Sequence, residues 1–114
     1  MPLTGIEKVF GVLKRWEVNG YVNFDPRCSA AVQKHLPGYT NRLFAKELFE
    51  HVDRTGDLHE TAQKPEDGWE VPYFYHSIPT INGVKLYVKM ILSEDQDETE
   101  DCATLIVSLH PPTF

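Results

Sequence analysis

The spacing of apolar residues in this 114-residue chain changes part-way along, from a helical period before Gly56 to near-strict alternation after it. That switch constrains the fold more than any other feature. A 3.6-residue period buries one stripe of a helix, and a two-residue period buries one face of a strand, so neither pattern fits the other element. Helices followed by a sheet read as an α+β domain, and 114 residues give one such unit, residues 1–114, enough chain for a core of its own.

In the first half, Thr4 and Glu7 form a capping-box pair ahead of Ile6, Val9, Phe10, Leu13 and Trp16, and Asn19-Gly20 supplies the stop. Tyr21 to Phe24 is a short extended piece. Asp25-Pro26 opens a second helix, with Asp as the cap and Pro where no N–H is missed; it runs to about His35, before Leu36-Pro37-Gly38. A third begins at Thr40 or Asn41, buries Leu43, Phe44, Leu48 and Val52, and fades near Arg54-Thr55-Gly56.

In the second half, Leu58–Gln63 and the aromatic run Trp69–Ile78 are expected strands, with Pro72 marking an edge or a bulge. Asn82-Gly83 signals a hairpin. Val84–Leu92 and Cys102–His110 are the clearest strands, and Pro111-Pro112 ends the sheet. The expected fold is about three N-terminal helices on one face of a three- to four-stranded antiparallel sheet.

Alternation also sorts the faces. Val84, Leu86, Val88, Met90 and Leu92 are expected to meet the helices, with Lys85, Tyr87 and Lys89 opposite. In the last strand Leu105, Val107 and Leu109 share one face, and Thr104, Ile106, Ser108 and His110 the other. Simple pairing then gathers Lys85, Tyr87, Lys89, Ser108 and His110 on one surface. Such a surface is either a solvated outer face or a site.

As a site it holds the parts for cleaving RNA without a metal, where the neighbouring 2′-hydroxyl is the nucleophile. The protein supplies a base, an acid and positive charge for the phosphate. Tyr stacks on a base or donates a proton, His serves as acid or base, and Lys holds phosphate. His59, just past the helical half, projects over the sheet as a further acid or base or stays a surface residue. The face of His76 stays open because of Pro72. His35 and His51 lie near helix ends, where a cation is favoured.

Charge is uneven. The formal net charge is −6, and residues 58–114 carry 3 basic against 10 acidic side chains. Six of those acids, Glu94, Asp95, Asp97, Glu98, Glu100 and Asp101, form one loop. This is not the balance of a general nucleic-acid binder, whose affinity rests on cations displacing counterions. The run also lacks the glycine and the closing glutamate of a calcium loop. No two histidines stand at zinc-ligand spacing, so no metal and no cofactor is expected. Cys28 and Cys102 stand alone, as thiols do in a reducing compartment, and no apolar stretch approaches the ~18 residues of a membrane helix. A cytoplasmic protein is the expectation.

Trp69-Glu70-Val71-Pro72-Tyr73, then Gly83-Val84-Lys85-Leu86-Tyr87-Val88-Lys89, then Leu105-Ile106-Val107-Ser108-Leu109-His110 resembles the barnase–EndoU–colicin–RelE group of ribonuclease toxins. Within the group the likeness is to the motility quorum-sensing regulator toxins, over about the last 60 residues in detail. The resemblance implies a RelE-like fold and an mRNA-cleaving toxin of a toxin–antitoxin, phage or polymorphic toxin system, with RNA as substrate and a cognate antitoxin as partner. The family's tyrosine falls on Tyr87; its lysine position is taken here by His59 and its glutamine position by Glu70. With the sheet face and the resemblance taken together, His59, Tyr87 and His110 are the expected catalytic residues, and Lys85, Lys89, Ser108 and Glu70 the substrate-binding ones. The alternative is an acidic, non-catalytic binding protein, such as an immunity protein, an antitoxin or a phage-encoded inhibitor, docking a basic partner through loop 94–101.

Overall fold

A computed structural model of the chain describes residues 4–62, 73–94 and 102–112. Helix α1 (Gly5–Lys14) opens on the expected capping box: the Thr4 hydroxyl accepts from the Glu7 N–H, and the Glu7 carboxylate accepts from the Thr4 N–H at 3.2 Å. Val9, Val12 and Leu13 are its buried stripe. Helix α2 (Pro26–His35) is capped by Asp25, and α3 (Asn41–Thr55) by the Thr40 hydroxyl. Gly56 ends α3 at φ 72°, a left-handed conformation that costs glycine little and other residues more.

The sheet is built by strands β1 (Val22–Phe24), β2 (His59–Ala62), β3 (Tyr73–Ser77), β6 (Tyr87–Glu94) and β7 (Cys102–His110), while β4 (Thr80–Ile81) and β5 (Val84–Lys85) form a separate small hairpin. In the main sheet the order is β1-β7-β6-β3-β2. Strands β2, β3, β6 and β7 make the expected antiparallel meander. The short piece at 22–24 does more than expected: it lies parallel along β7, so the sheet is mixed and five-stranded. Pairing there covers the outer edge of β7, and the Asp25 N–H continues it to the Ile106 carbonyl at 3.0 Å.

Three further departures come from local geometry. Leu86 sends its N–H to the Pro79 carbonyl and interrupts the run Val84–Leu92, so Lys85 sits in the hairpin opposite Thr80 and outside the main sheet. The hairpin turn itself is as expected, with Asn82 and Gly83 both at positive φ. In β7, the register shifts between Lys89 and Met90: Ser108 faces Lys89 but Ile106 faces Met90, so Val107 is an extra residue. This bulge puts both Ile106 and Leu109 on the helix side, and both are buried, where uninterrupted alternation would separate them. Leu43, expected inside, is 36% exposed; Ala45 turns inward instead.

The three helices cover one face of the sheet. Val9, Leu13, Val32, Leu36, Phe44, Leu48, Val88, Met90 and Ile106 form one continuous core there. The radius of gyration, 13.6 Å, matches the ~13 Å of a packed chain of this length. Among the described residues no helix is long and apolar enough to cross a membrane.

Candidate functional site

The site occupies the sheet face away from the helices. Strand pairing sets His59 opposite His76, His76 opposite Lys89, and Lys89 opposite Ser108, a row crossing β2, β3, β6 and β7. Two pairs further along, on the same face, Tyr87 faces His110. The regular strand Tyr73–Ser77 resolves the open question of His76: it belongs to this polar face, alternating with Tyr75, which packs in the core.

Tyr87 is the centre of the group. Its hydroxyl shares a hydrogen bond with His76 Nδ1, and its ring rests against His110, centroids 5.3 Å apart. The His76 ring lies 5.5 Å from it on the other side. Burial pushes the Tyr87 phenol above its ordinary value of 10.0, so it stays protonated at neutral pH. Burial also pushes His76 below its ordinary 6.5, and the positive charges of Lys89 and His59 act in the same direction. His76 is therefore neutral near pH 7. Its Nε2 is buried and has no hydrogen-bond partner among the described residues.

Lys89 does not reach into solvent at random. Its ammonium sits 4.0 Å from the centroid of the Phe74 ring, a cation–π contact that holds the charge above the sheet beside His76. Phe74 and Ile91 make the neighbouring part of this face apolar, and both are buried. His110 is exposed, and its Nδ1 lies 2.8 Å from the Pro111 carbonyl.

At the β2 end, Asp57 joins the group. Its carboxylate lies 2.9 Å from His59 Nε2 and 2.8 Å from His51 Nε2, and accepts the Ile78 backbone N–H at 2.9 Å. Burial alone would raise its pKa, but the bonds from His51, Ile78 and His59 outweigh that and hold it below the ordinary 3.8. His51 thus serves Asp57 rather than the end carbonyls of α3.

Of the residues expected from sequence, His59, Tyr87, Lys89, Ser108 and His110 come to one face. Lys85 does not, because it pairs within the small hairpin. Glu70 and the acids from Asp95 to Asp101 lie outside the described residues. His76, Phe74, Asp57 and His51 complete the group beyond that expectation. Only Asp57 left a signal, since in an extended segment positions 57 and 59 point the same way. Among the described residues no cluster of His, Cys, Asp and Glu is arranged to hold a metal ion. Cys28 is buried beneath α2, with its thiol pushed up to about 11 by burial and by the Asp25 charge, which makes it inert as a nucleophile.

Two clefts elsewhere share no residue with this row. One, of about 370 Å³ between α1 and α3, is walled by Ile6, Phe10, Val52 and Leu58, with Glu7 the one charged group among its described lining residues. The other, of about 360 Å³, lies beside Trp16, Asn23 and Arg42. Neither gathers an acid, a base and a cation as the sheet face does. No protein-family model, curated protein or solved structure matches the chain.

Proposed function

We propose that the chain is a metal-independent endoribonuclease working from the outer face of its sheet, in the manner of RelE-like toxins. One observation carries the reading: Tyr87 is held between two histidines, with the Lys89 charge two positions along the same strand. RNA supplies its own nucleophile, so a protein needs only a base, an acid and a cation placed around one phosphate.

Spacing assigns the roles. His59 and His110 stand three strand spacings apart, about 14 Å at ~4.8 Å per spacing, too far to bracket a single phosphate. Tyr87 reaches the His76 ring, on the strand beside β2, and so is the nearer acid for a base at His59. Lys89, opposite His76 with its ammonium over the Phe74 ring, takes the phosphate charge, Ser108 offers a hydroxyl next to it, and the exposed His110 ring extends the Tyr87 ring as a stacking surface for a nucleobase. His76 donates from Nδ1 to the Tyr87 oxygen in this arrangement, which leaves its buried Nε2, without a partner among the described residues, a bare acceptor rather than a costlier unpaired N–H. The Tyr87 proton is then free for the leaving oxygen.

The enzyme acts in the cytoplasm, with a cognate antitoxin as its partner. The net charge of −6 favours a second reading, an acidic binding protein such as an immunity protein, an antitoxin or a phage-encoded inhibitor. On that reading the acidic run that follows Glu94, the last paired residue of β6, is the contact for a basic partner.

An RNA-cleavage assay in EDTA tests the choice. The wild type is expected to cleave, Lys89→Ala to lose about tenfold or more, as removal of a charge-assisted bond of ~1.5–3 kcal/mol predicts, and Lys85→Ala to stay within about twofold. A folded wild type that leaves RNA intact sinks the enzyme reading and favours the acidic binding protein.

A further inference from the structure

We infer that Asp57 is a positioning residue of this site, fixing His59 so that its Nδ1 is the proton acceptor, and that His51 holds Asp57 in place; the chemistry rests on the ribonuclease reading. The geometry divides the carboxylate into two halves with different work. Oδ2 takes His51 Nε2 at 2.8 Å, the Ile78 N–H at 2.9 Å and the Ser77 hydroxyl at 3.4 Å. Those contacts tie the end of α3 to the end of β3 and already anchor Asp57. Oδ1 is left for His59 Nε2, at 2.9 Å.

The second bond adds little to the fold. The His59 side chain is 69% exposed, and an ion pair or hydrogen bond at such a site contributes little net stability. What it does is orient. A carboxylate only accepts, so the nitrogen facing it carries the proton, and neutral His59 is the Nε2–H tautomer with a bare lone pair on Nδ1. The ring stands in the row with His76, Lys89 and Ser108, close enough to His76 for its charge to be felt there. An exposed histidine without that tether would divide its time among rotamers and tautomers.

In the reaction His59 Nδ1 takes the proton of the 2′-hydroxyl as that oxygen bonds to phosphorus. The bond from phosphorus to the 5′-oxygen breaks, and the 5′-oxygen takes the Tyr87 phenolic proton. The products are a 2′,3′-cyclic phosphate and a 5′-hydroxyl end. The new imidazolium faces the Asp57 carboxylate, and solvent returns its proton to Tyr87. The charged and titratable groups around the pair are His51 from α3, His76 from β3 and Lys89 from β6; Glu60, next along β2, turns to Tyr75 on the opposite face.

Nitrogen-15 NMR of the histidine rings in the full chain, with cleavage kinetics in parallel, tests this. The wild type is expected to show His59 as the Nε2–H form. Asp57→Asn is expected to give a tautomer mixture and to lower kcat by tenfold or more at little change in KM, with a displaced pH profile. A wild-type His59 protonated on Nδ1, or a tautomer unmoved in Asp57→Asn, overturns the inference. Should Asp57→Asn not fold, His59→Gln decides: the inference expects an unchanged melting temperature with kcat down at least a hundredfold, and wild-type kinetics overturn it. If the wild type does not cleave RNA yet its His59 tautomer depends on Asp57, the ribonuclease reading fails and the positioning stands.

Discussion

Tyr87 on β6 and His76 on β3 share a hydrogen bond, Oη to Nδ1, although the two residues are not directly opposite in the register. His76 faces Lys89, two positions along from Tyr87, so the phenol reaches diagonally across the strand pair. The pair is neutral at pH 7, since burial holds the phenol protonated and the imidazole unprotonated.

Tyr87→Phe removes the phenolic acid while keeping the ring on His110. RNA cleavage is expected to fall about 10²–10⁴-fold, the range of a lost general acid, whereas the loss of one hydrogen bond costs about 1 kcal/mol of stability. Cleavage rates beside urea melts of the same samples check it. Equal cleavage by the two proteins removes Tyr87 from the chemistry.

Acid is expected to unfold the chain in two stages, and the signs follow from the two depressed pKa values. The folded His76 ring binds a proton less readily than an unfolded histidine, so stability present above the ordinary 6.5 is lost as pH falls below it toward the folded value. Asp57, also depressed, keeps its contribution above the ordinary 3.8 and loses it as pH falls through its folded pKa. Urea midpoints measured from pH 8 to pH 3 are expected to decline first near pH 6.5 and again below about 4. His76→Gln should flatten the first decline and leave the second. If His76→Gln tracks the wild type between pH 7 and 5, His76 is not the group responsible.

The helices and the polar sheet face were legible because each depends on one local signal. Thr4, Asp25 and Thr40 cap their helices with their own side chains, and alternation puts Tyr87 and Lys89 on one side of a strand whatever pairs with it. What stayed illegible needs a partner. Parallel pairing of Val22–Phe24 depends on β7, about eighty residues away in sequence. The place of His76 depends on the Lys89 opposite it. Lys85 leaves the row because a single N–H, that of Leu86, bonds to Pro79.

The bulge at Val107 gives the sharpest contrast between pattern and structure. Plain alternation buries Leu105 and Val107 and exposes Ile106; the structure buries Ile106 completely and leaves the other two half-buried. Ile106→Ala is expected to cost about 2–5 kcal/mol, as for a large core residue truncated against Met90, and Leu105→Ala clearly less. Urea denaturation of both variants measures the difference. A larger loss at Leu105 would mean that the register runs without the bulge.

Gly5 opens α1 directly against the Tyr75 hydroxyl, and a β-carbon at that position would overlap it. Alanine normally favours a helix over glycine by about 1 kcal/mol, so Gly5→Ala sets helix propensity against a clash. Tyr75 cannot yield easily: it is 3% exposed, packed in the core, and its hydroxyl donates to Glu60 across β2 and β3. The clash is expected to win, with a net loss of about 1–3 kcal/mol, the usual cost of overpacking. In a Tyr75→Phe background the overlapping oxygen is gone, and the same Gly5→Ala change should cost less. A double-mutant cycle from urea melts reads the coupling directly. Additive effects would mean that α1 does not sit against Tyr75 as described; strong coupling would fix the end of α1 over the same strand that carries His76 on its other face.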